Sequence, residues 1–66
     1  MKRITVNGQP RDTDAPTVAA LVAELGFANG TVLVEHNGLA LRPAEWTDRP
    51  ITSGDRVELL RLAAGG

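Results

Sequence analysis

Arg56-Val57-Glu58-Leu59-Leu60-Arg61-Leu62, running on into Ala63-Ala64-Gly65-Gly66, is the stretch on which the fold turns. Its first seven residues read as a strand, and residues two apart in a strand point the same way. Val57 and Leu59 therefore share one face with Arg61, while Glu58 shares the other with Leu60 and Leu62. Only one face can meet a core. Giving Val57 and Leu59 to the core leaves Glu58, Leu60 and Leu62 on an exposed face beside the end of the chain, where an apolar patch reads as a docking surface. The alternatives are that Leu62 folds back onto the domain edge, or that the parity is inverted. The four residues after Leu62 are small and carry no cap or turn signal. Gly65 and Gly66 lack the Cβ that confines a backbone, so a thin flexible tail is expected over 63–66 and a folded domain over 1–62. Extended, four residues reach about 13 Å, enough to carry a carboxylate down a narrow channel into another protein's active site. A frayed terminus is the other reading.

Upstream of that strand the chain supplies what it needs to pack against. Arg3-Ile4-Thr5-Val6 alternates polar and apolar and predicts a strand burying Ile4 and Val6. Asn7-Gly8 signals a tight hairpin, because both residues tolerate positive φ. The return strand, Gln9 to Asp14, is polar and carries Pro10, which places it at a sheet edge. Thr17 is positioned to cap a helix over Val18–Leu25. Val18, Leu21, Val22 and Leu25 form its apolar stripe, and Gly26-Phe27 provides a left-handed stop with a contact back onto the helix. Thr31–His36 is β-branched and apolar, as a central strand requires. Asn37-Gly38 turns it back through Leu39-Ala40-Leu41. Pro43 ends that strand, Ala44-Glu45-Trp46 suits a short helical turn, Ile51 is a lone apolar plug, and Ser53-Gly54-Asp55 makes the last turn. The expectation is an α+β fold: a mixed sheet of four to five strands with one helix packed across it, the first and last strands pairing in parallel at its centre.

Composition bounds what such a domain can do. Sixty-six residues with a hydrophobic share of 42% and a net charge of −1 describe one small folded unit rather than a disordered segment. There is no cysteine, so neither a disulfide nor a thiolate metal site supplements the core. The cations are scattered instead of clustered, which argues against nucleic acid as a partner. No run approaches the roughly 20 apolar residues of a membrane span, and the first residues lack the apolar centre of a secretory signal, so a cytoplasmic location is expected.

Ile4-Thr5-Val6-Asn7-Gly8, the Thr17-Val18 helix start, Val34-Glu35-His36-Asn37-Gly38, Trp46, Gly54-Asp55-Arg56-Val57-Glu58 and the terminal Gly65-Gly66 together resemble the thiamine-pathway sulfur carrier (ThiS) family. The resemblance covers essentially the whole chain and implies a β-grasp, ubiquitin-like fold. It further implies that a ubiquitin-activating-type (ThiF-like) adenylyltransferase uses ATP to adenylate the Gly66 carboxylate. A sulfur donor such as a cysteine desulfurase then turns the adenylate into a thiocarboxylate, and a ThiG-like thiazole synthase takes the sulfur. The tail residues Ala63, Ala64 and Gly65 would deliver Gly66, and Glu58, Leu60 and Leu62 would meet the partner. At one place the chain departs from the family pattern: Arg42-Pro43 inverts a Pro-Arg pair that precedes the tryptophan.

The residues suit that chemistry. A carboxylate is a poor electrophile; an acyl adenylate carries a good leaving group, and glycines leave the carbonyl carbon open to attack. With no cysteine, no internal thiol competes for the adenylate. The chain itself shows no catalytic residues, no bound cofactor and no metal ligand set, so it reads as a protein co-substrate and not an enzyme, with ATP bound by the partner. His36 reads as a surface strand residue. Asp12, Asp14, Glu24, Glu35, Glu45, Asp48, Asp55 and Glu58 read as solvated faces and turn residues. Three other readings stay open: the small subunit of molybdopterin synthase, a ubiquitin-like interaction module that is never activated, and a modifier conjugated to lysines.

Overall fold

In a computed structural model, which describes residues 1–28 and 30–62, five strands form one sheet in the order β2-β1-β5-β3-β4. β1 (Lys2–Val6) and β2 (Gln9–Thr13) make the first hairpin, with β2 at an edge. α1 (Val18–Glu24) follows, then β3 (Val32–His36) and β4 (Leu39–Leu41), a 3₁₀ segment (Pro43–Asp48) and β5 (Arg56–Arg61). β5 is central: parallel to β1 through Thr5↔Arg56 and Val6↔Val57, antiparallel to β3 from Val32↔Arg61 to His36↔Val57. This is the β-grasp arrangement, an α+β fold with a mixed sheet.

Local chemistry fixes the elements much as the pattern requires. Thr17 accepts a bond from the Ala20 N–H at 3.2 Å, satisfying one of the free donors of the first turn. At the other end Gly26 (φ +86) donates to the Ala23 carbonyl and Phe27 to the Val22 carbonyl, the paired bonds of a Schellman stop. Both Asn-Gly turns have positive φ at both residues (Asn7 50 and Gly8 80; Asn37 51 and Gly38 85), whose twist matches that of the strands they join.

These asparagines do more than turn the chain. Asn7 presents its side-chain amide to β5 as a strand would: Nδ2 donates to the Leu59 carbonyl at 3.2 Å and Oδ1 accepts from the Leu59 N–H at 2.7 Å. Asn37 Oδ1 accepts from the Arg56 N–H at 2.8 Å while its Nδ2 donates to Asp55. Only an amide offers both a donor and an acceptor here, so an aspartate in either turn would lose half the clamp.

The core lies between α1 and one face of the sheet. Val18, Leu21 and Val22 of the helix meet Ile4, Val32, Val34, Leu41 and Val57, with Ala15, Trp46 and Ile51 closing the rim. Val6, Leu25 and Leu59 are half-buried against it. The departure of Arg42-Pro43 leaves this packing intact: Pro43 opens the 3₁₀ segment and the Arg42 N–H donates to Glu45 Oε1 at 2.7 Å.

Two readings of the sequence are corrected. His36 is not a surface residue but is buried, because β3 alternates and His36 falls in phase with Val32 and Val34 on the core face. Asp55 is buried too and is not a solvated turn residue. The two form a polar plug. Arg49 Nε donates to His36 Nδ1 at 3.0 Å, so that nitrogen is the acceptor and Nε2 donates to Asp55 Oδ2 at 2.7 Å. Asp55 also accepts from the Thr52 N–H and hydroxyl and from Asn37. Burial alone would raise its carboxyl; the bonds from the Thr52 N–H, His36, Asn37 and the Thr52 hydroxyl outweigh that and hold it well below the usual carboxylate range.

Candidate functional site

Among the described residues no helix covers the sheet's second face. Since α1 covers one face, residues of opposite parity on the strands point away from it, and Leu33, Glu35, Glu58 and Leu60 among them are exposed. Leu33 of β3 is 51% exposed and Leu60 of β5 is 65% exposed, and the two lie directly opposite each other in the β3–β5 ladder. The next pair on this face is Glu35↔Glu58. Together with Asn7 and Ala40 these four residues line an open groove of about 400 Å³.

Of the residues expected at a docking surface, Glu58 and Leu60 line this groove, and Leu62 (41% exposed) lies just past the end of β5, where its N–H donates to the Thr31 carbonyl at 2.9 Å. The parity read from Val57 and Leu59 therefore holds: Val57 is fully buried, and neither Leu60 nor Leu62 folds onto the core. Ala63, Ala64, Gly65 and Gly66 lie outside the described residues, as does the expected character of the tail.

The β3 half of the groove went unread in the sequence. Leu33 and Glu35 alternate with Val32, Val34 and His36, and the same period that exposes Leu60 exposes them. Reading Thr31–His36 as a β-branched, apolar central strand hid that alternation.

Asp12 and Asp14 do not form an acid–base pair. Asp12 pairs with Arg3 across the first hairpin and Asp14 with the N-terminal amine at 3.4 Å, so these carboxylates do not share a site. Among the described residues no group of three or more His, Asp or Glu is placed to hold a metal, and no helix is long and apolar enough to cross a membrane. What the geometry provides is an exposed leucine- and glutamate-bearing sheet face on the strand that precedes residues 62–66 in the sequence.

Comparison with known proteins agrees along the whole length. The ThiS family model matches residues 4–66. The sulfur carrier protein ThiS of Thermus thermophilus is 35% identical over 63 residues, 96% of this chain and 98% of that one. A crystal structure of the thiamine biosynthesis protein ThiS from Geobacter metallireducens superposes with a TM-score of 0.80 at 34% identity, covering 97% of this chain and 99% of the other. The solution structure of a thiamine biosynthesis protein from the same organism gives 0.79 at 34% identity, covering 97% and 87%. With a five-stranded β-grasp sheet, an uncovered leucine-bearing face and a match running through Gly66, this chain belongs to the ThiS family.

Proposed function

We propose that this protein is a sulfur carrier for making the thiazole of thiamine, acting as a co-substrate of partner enzymes. The observation that carries the reading is the family match, which runs from residue 4 through Gly65-Gly66; in the sequence three residues, Leu62, Ala63 and Ala64, separate those glycines from the last residue of β5. The near-complete coverage of a relative named as the sulfur carrier ThiS favours this pathway over the molybdopterin one.

The chemistry runs on the Gly66 carboxylate. A ThiF-like adenylyltransferase joins it to the AMP portion of ATP, releasing pyrophosphate. Sulfide then attacks the carbonyl carbon, the bond to AMP breaks, and a thiocarboxylate remains; where a cysteine desulfurase supplies the sulfur as a persulfide, its terminal sulfur attacks, AMP leaves, and a thiol reductant cleaves the resulting acyl disulfide to release the thiocarboxylate. The thiocarboxylate is anionic and nucleophilic and passes sulfur to a ThiG-like thiazole synthase. Gly65 and Gly66 put no side chain beside the reacting carbon, and Ala63 and Ala64 keep the approach narrow. The leucine-bearing sheet face docks the partner, so that affinity comes from Leu60, Leu62 and Glu58 and reactivity from the tail.

The test is intact mass after incubation with a ThiF-like enzyme, ATP and inorganic sulfide. The expected gain equals one oxygen replaced by sulfur, and it disappears when Gly66 is deleted while the far-ultraviolet circular dichroism stays the same. An unchanged mass with an enzyme that activates its own carrier would overturn the reading in favour of an interaction module.

A further inference from the structure

On the open face, Glu35 and Glu58 stand directly opposite each other in the β3–β5 ladder, next to the Leu33↔Leu60 pair. Directly opposite residues have Cβ atoms about 4.5–5.5 Å apart, and like charges at that spacing destabilise the sheet. Elsewhere on this face the opposite arrangement occurs: Arg3 faces Asp12 across the β1–β2 ladder and pairs with it. Glu58 has one counter-charge, Arg56 at 3.7 Å on its own strand, and Glu35 has no ion pair among the described residues.

The remaining polar group in the groove is Asn7, and both ends of its amide are already bonded to the Leu59 backbone. The groove therefore offers a partner two things only, exposed leucine surface and carboxylate oxygens that accept hydrogen bonds. An apolar or acidic side chain would bury those carboxylates without a donor, and a neutral donor would leave two like charges desolvated with no opposite charge. A second copy of this chain laid face to face would bring two more of them together.

We propose that the Leu33–Leu60/Glu35–Glu58 groove receives an arginine or lysine of the activating enzyme, its alkyl stem along the leucines and its charge between the two glutamates. The inference rests on the carrier reading above and names the chemistry of the partner at that surface. It makes the like-charge pair a specificity element that is unfavourable in the free protein and compensated in the complex.

The experiment measures activation by the ThiF-like adenylyltransferase, as ATP–pyrophosphate exchange over a range of carrier concentrations and salt, for wild type and for E35Q, E58Q and the double variant. The expected result is a KM for the carrier raised about tenfold or more in the double variant with kcat unchanged, and a weaker salt dependence than wild type, as the loss of desolvated charge contacts worth roughly 1.4 kcal/mol requires. At the same time the Tm of the free double variant rises by about 1–4 °C, because the repulsion is gone. A KM within twofold of wild type overturns the proposal, as does a KM increase accompanied by a fall in Tm, which would make the pair merely structural. Wild-type self-association that the double variant strengthens also overturns it, by giving the groove a different occupant. If wild type itself supports no exchange with an enzyme that activates its own carrier, it is the carrier reading that fails, and that outcome is visible before any variant is compared.

Discussion

The two faces of the sheet are built from the same strands and treat leucine and carboxylate in opposite ways. On the helix side Leu21 is fully buried, and the buried Asp55 has hydrogen bonds from His36, Asn37 and Thr52. On the open side Leu33 and Leu60 are more than half exposed, and among the described residues Glu35 has no ion pair. On the closed face leucine and carboxylate are both satisfied within the chain, and among the described residues Trp46 Nε1 is the one buried side-chain polar atom without a hydrogen-bond partner; on the open face the leucines and Glu35 are left to solvent. The difference teaches where stability resides in a domain too small to keep spare core, and under the proposed function it gives recognition to the other face. Mutations should therefore separate cleanly by face, and three of them test how cleanly.

The largest effect belongs to Leu21→Ala. Leu21 sits at the middle of the apolar stripe of α1, and its truncation leaves a cavity between the helix and the sheet. Loss of a buried leucine costs about 2–5 kcal/mol, a large part of what a small domain has. The expected outcome is a chain mostly unfolded by circular dichroism at 37 °C and inactive for that reason. A well-folded Leu21→Ala protein would erase the distinction between the faces.

Next comes Asp55→Ala, which tests whether polar groups on the closed face are structural. It leaves the His36 Nε2–H, the Asn37 amide and the Thr52 N–H without their shared acceptor, a loss of roughly 2–3 kcal/mol. The pH dependence follows from the lowered pKa of Asp55. The native state binds this proton less readily than the unfolded chain, so the contribution is fully present above the unfolded value near 3.9 and decays as the pH falls below it toward the depressed folded value. Urea midpoints should therefore drop in wild type as the pH goes from about 5 downward, and the Asp55→Ala protein, already less stable, should show a flatter acid limb. An equally steep limb in the variant would assign acid sensitivity to other carboxylates.

How much of this could be read from the sequence divides along the same line. Elements whose cause is local were legible: the Thr17 cap, the Gly26 stop, both Asn-Gly turns and the stripe of α1 each follow from a residue's own backbone preference or from a period of 3.6. The parity of β5 was legible as well, because Val57 and Leu59 had only one core to enter. His36 and Asp55 were not, since each is polar by type and buried only through a partner 19 residues away in the chain. A histidine in phase with two valines was the available signal. Glu35 and Leu33 escaped for a related reason: which residue of β3 faces which residue of β5 is set by register, and register is a property of two strands together. The second task of each asparagine, holding β5 by its amide, depends on that same assembly.

The smallest effect on stability, and the sharpest contrast, is Leu60→Ser. Leu60 is the same residue type as Leu21 but has most of its surface in solvent, so its replacement removes little that folding had buried. Surface changes of this kind stay within about 0.5 kcal/mol, a shift in Tm of roughly 2–4 °C at most for a domain of this size. Docking should respond in the opposite proportion. A leucine pressed against a partner contributes about 1.5–3 kcal/mol on full burial, so the carrier concentration needed for half-maximal activation should rise by about ten- to a hundredfold. A variant folded like wild type and activated like wild type would show that the partner passes this face by and takes hold of the tail alone. A Tm lowered as far as that of the Leu21→Ala protein would show instead that the open face contributes to stability as well as to recognition.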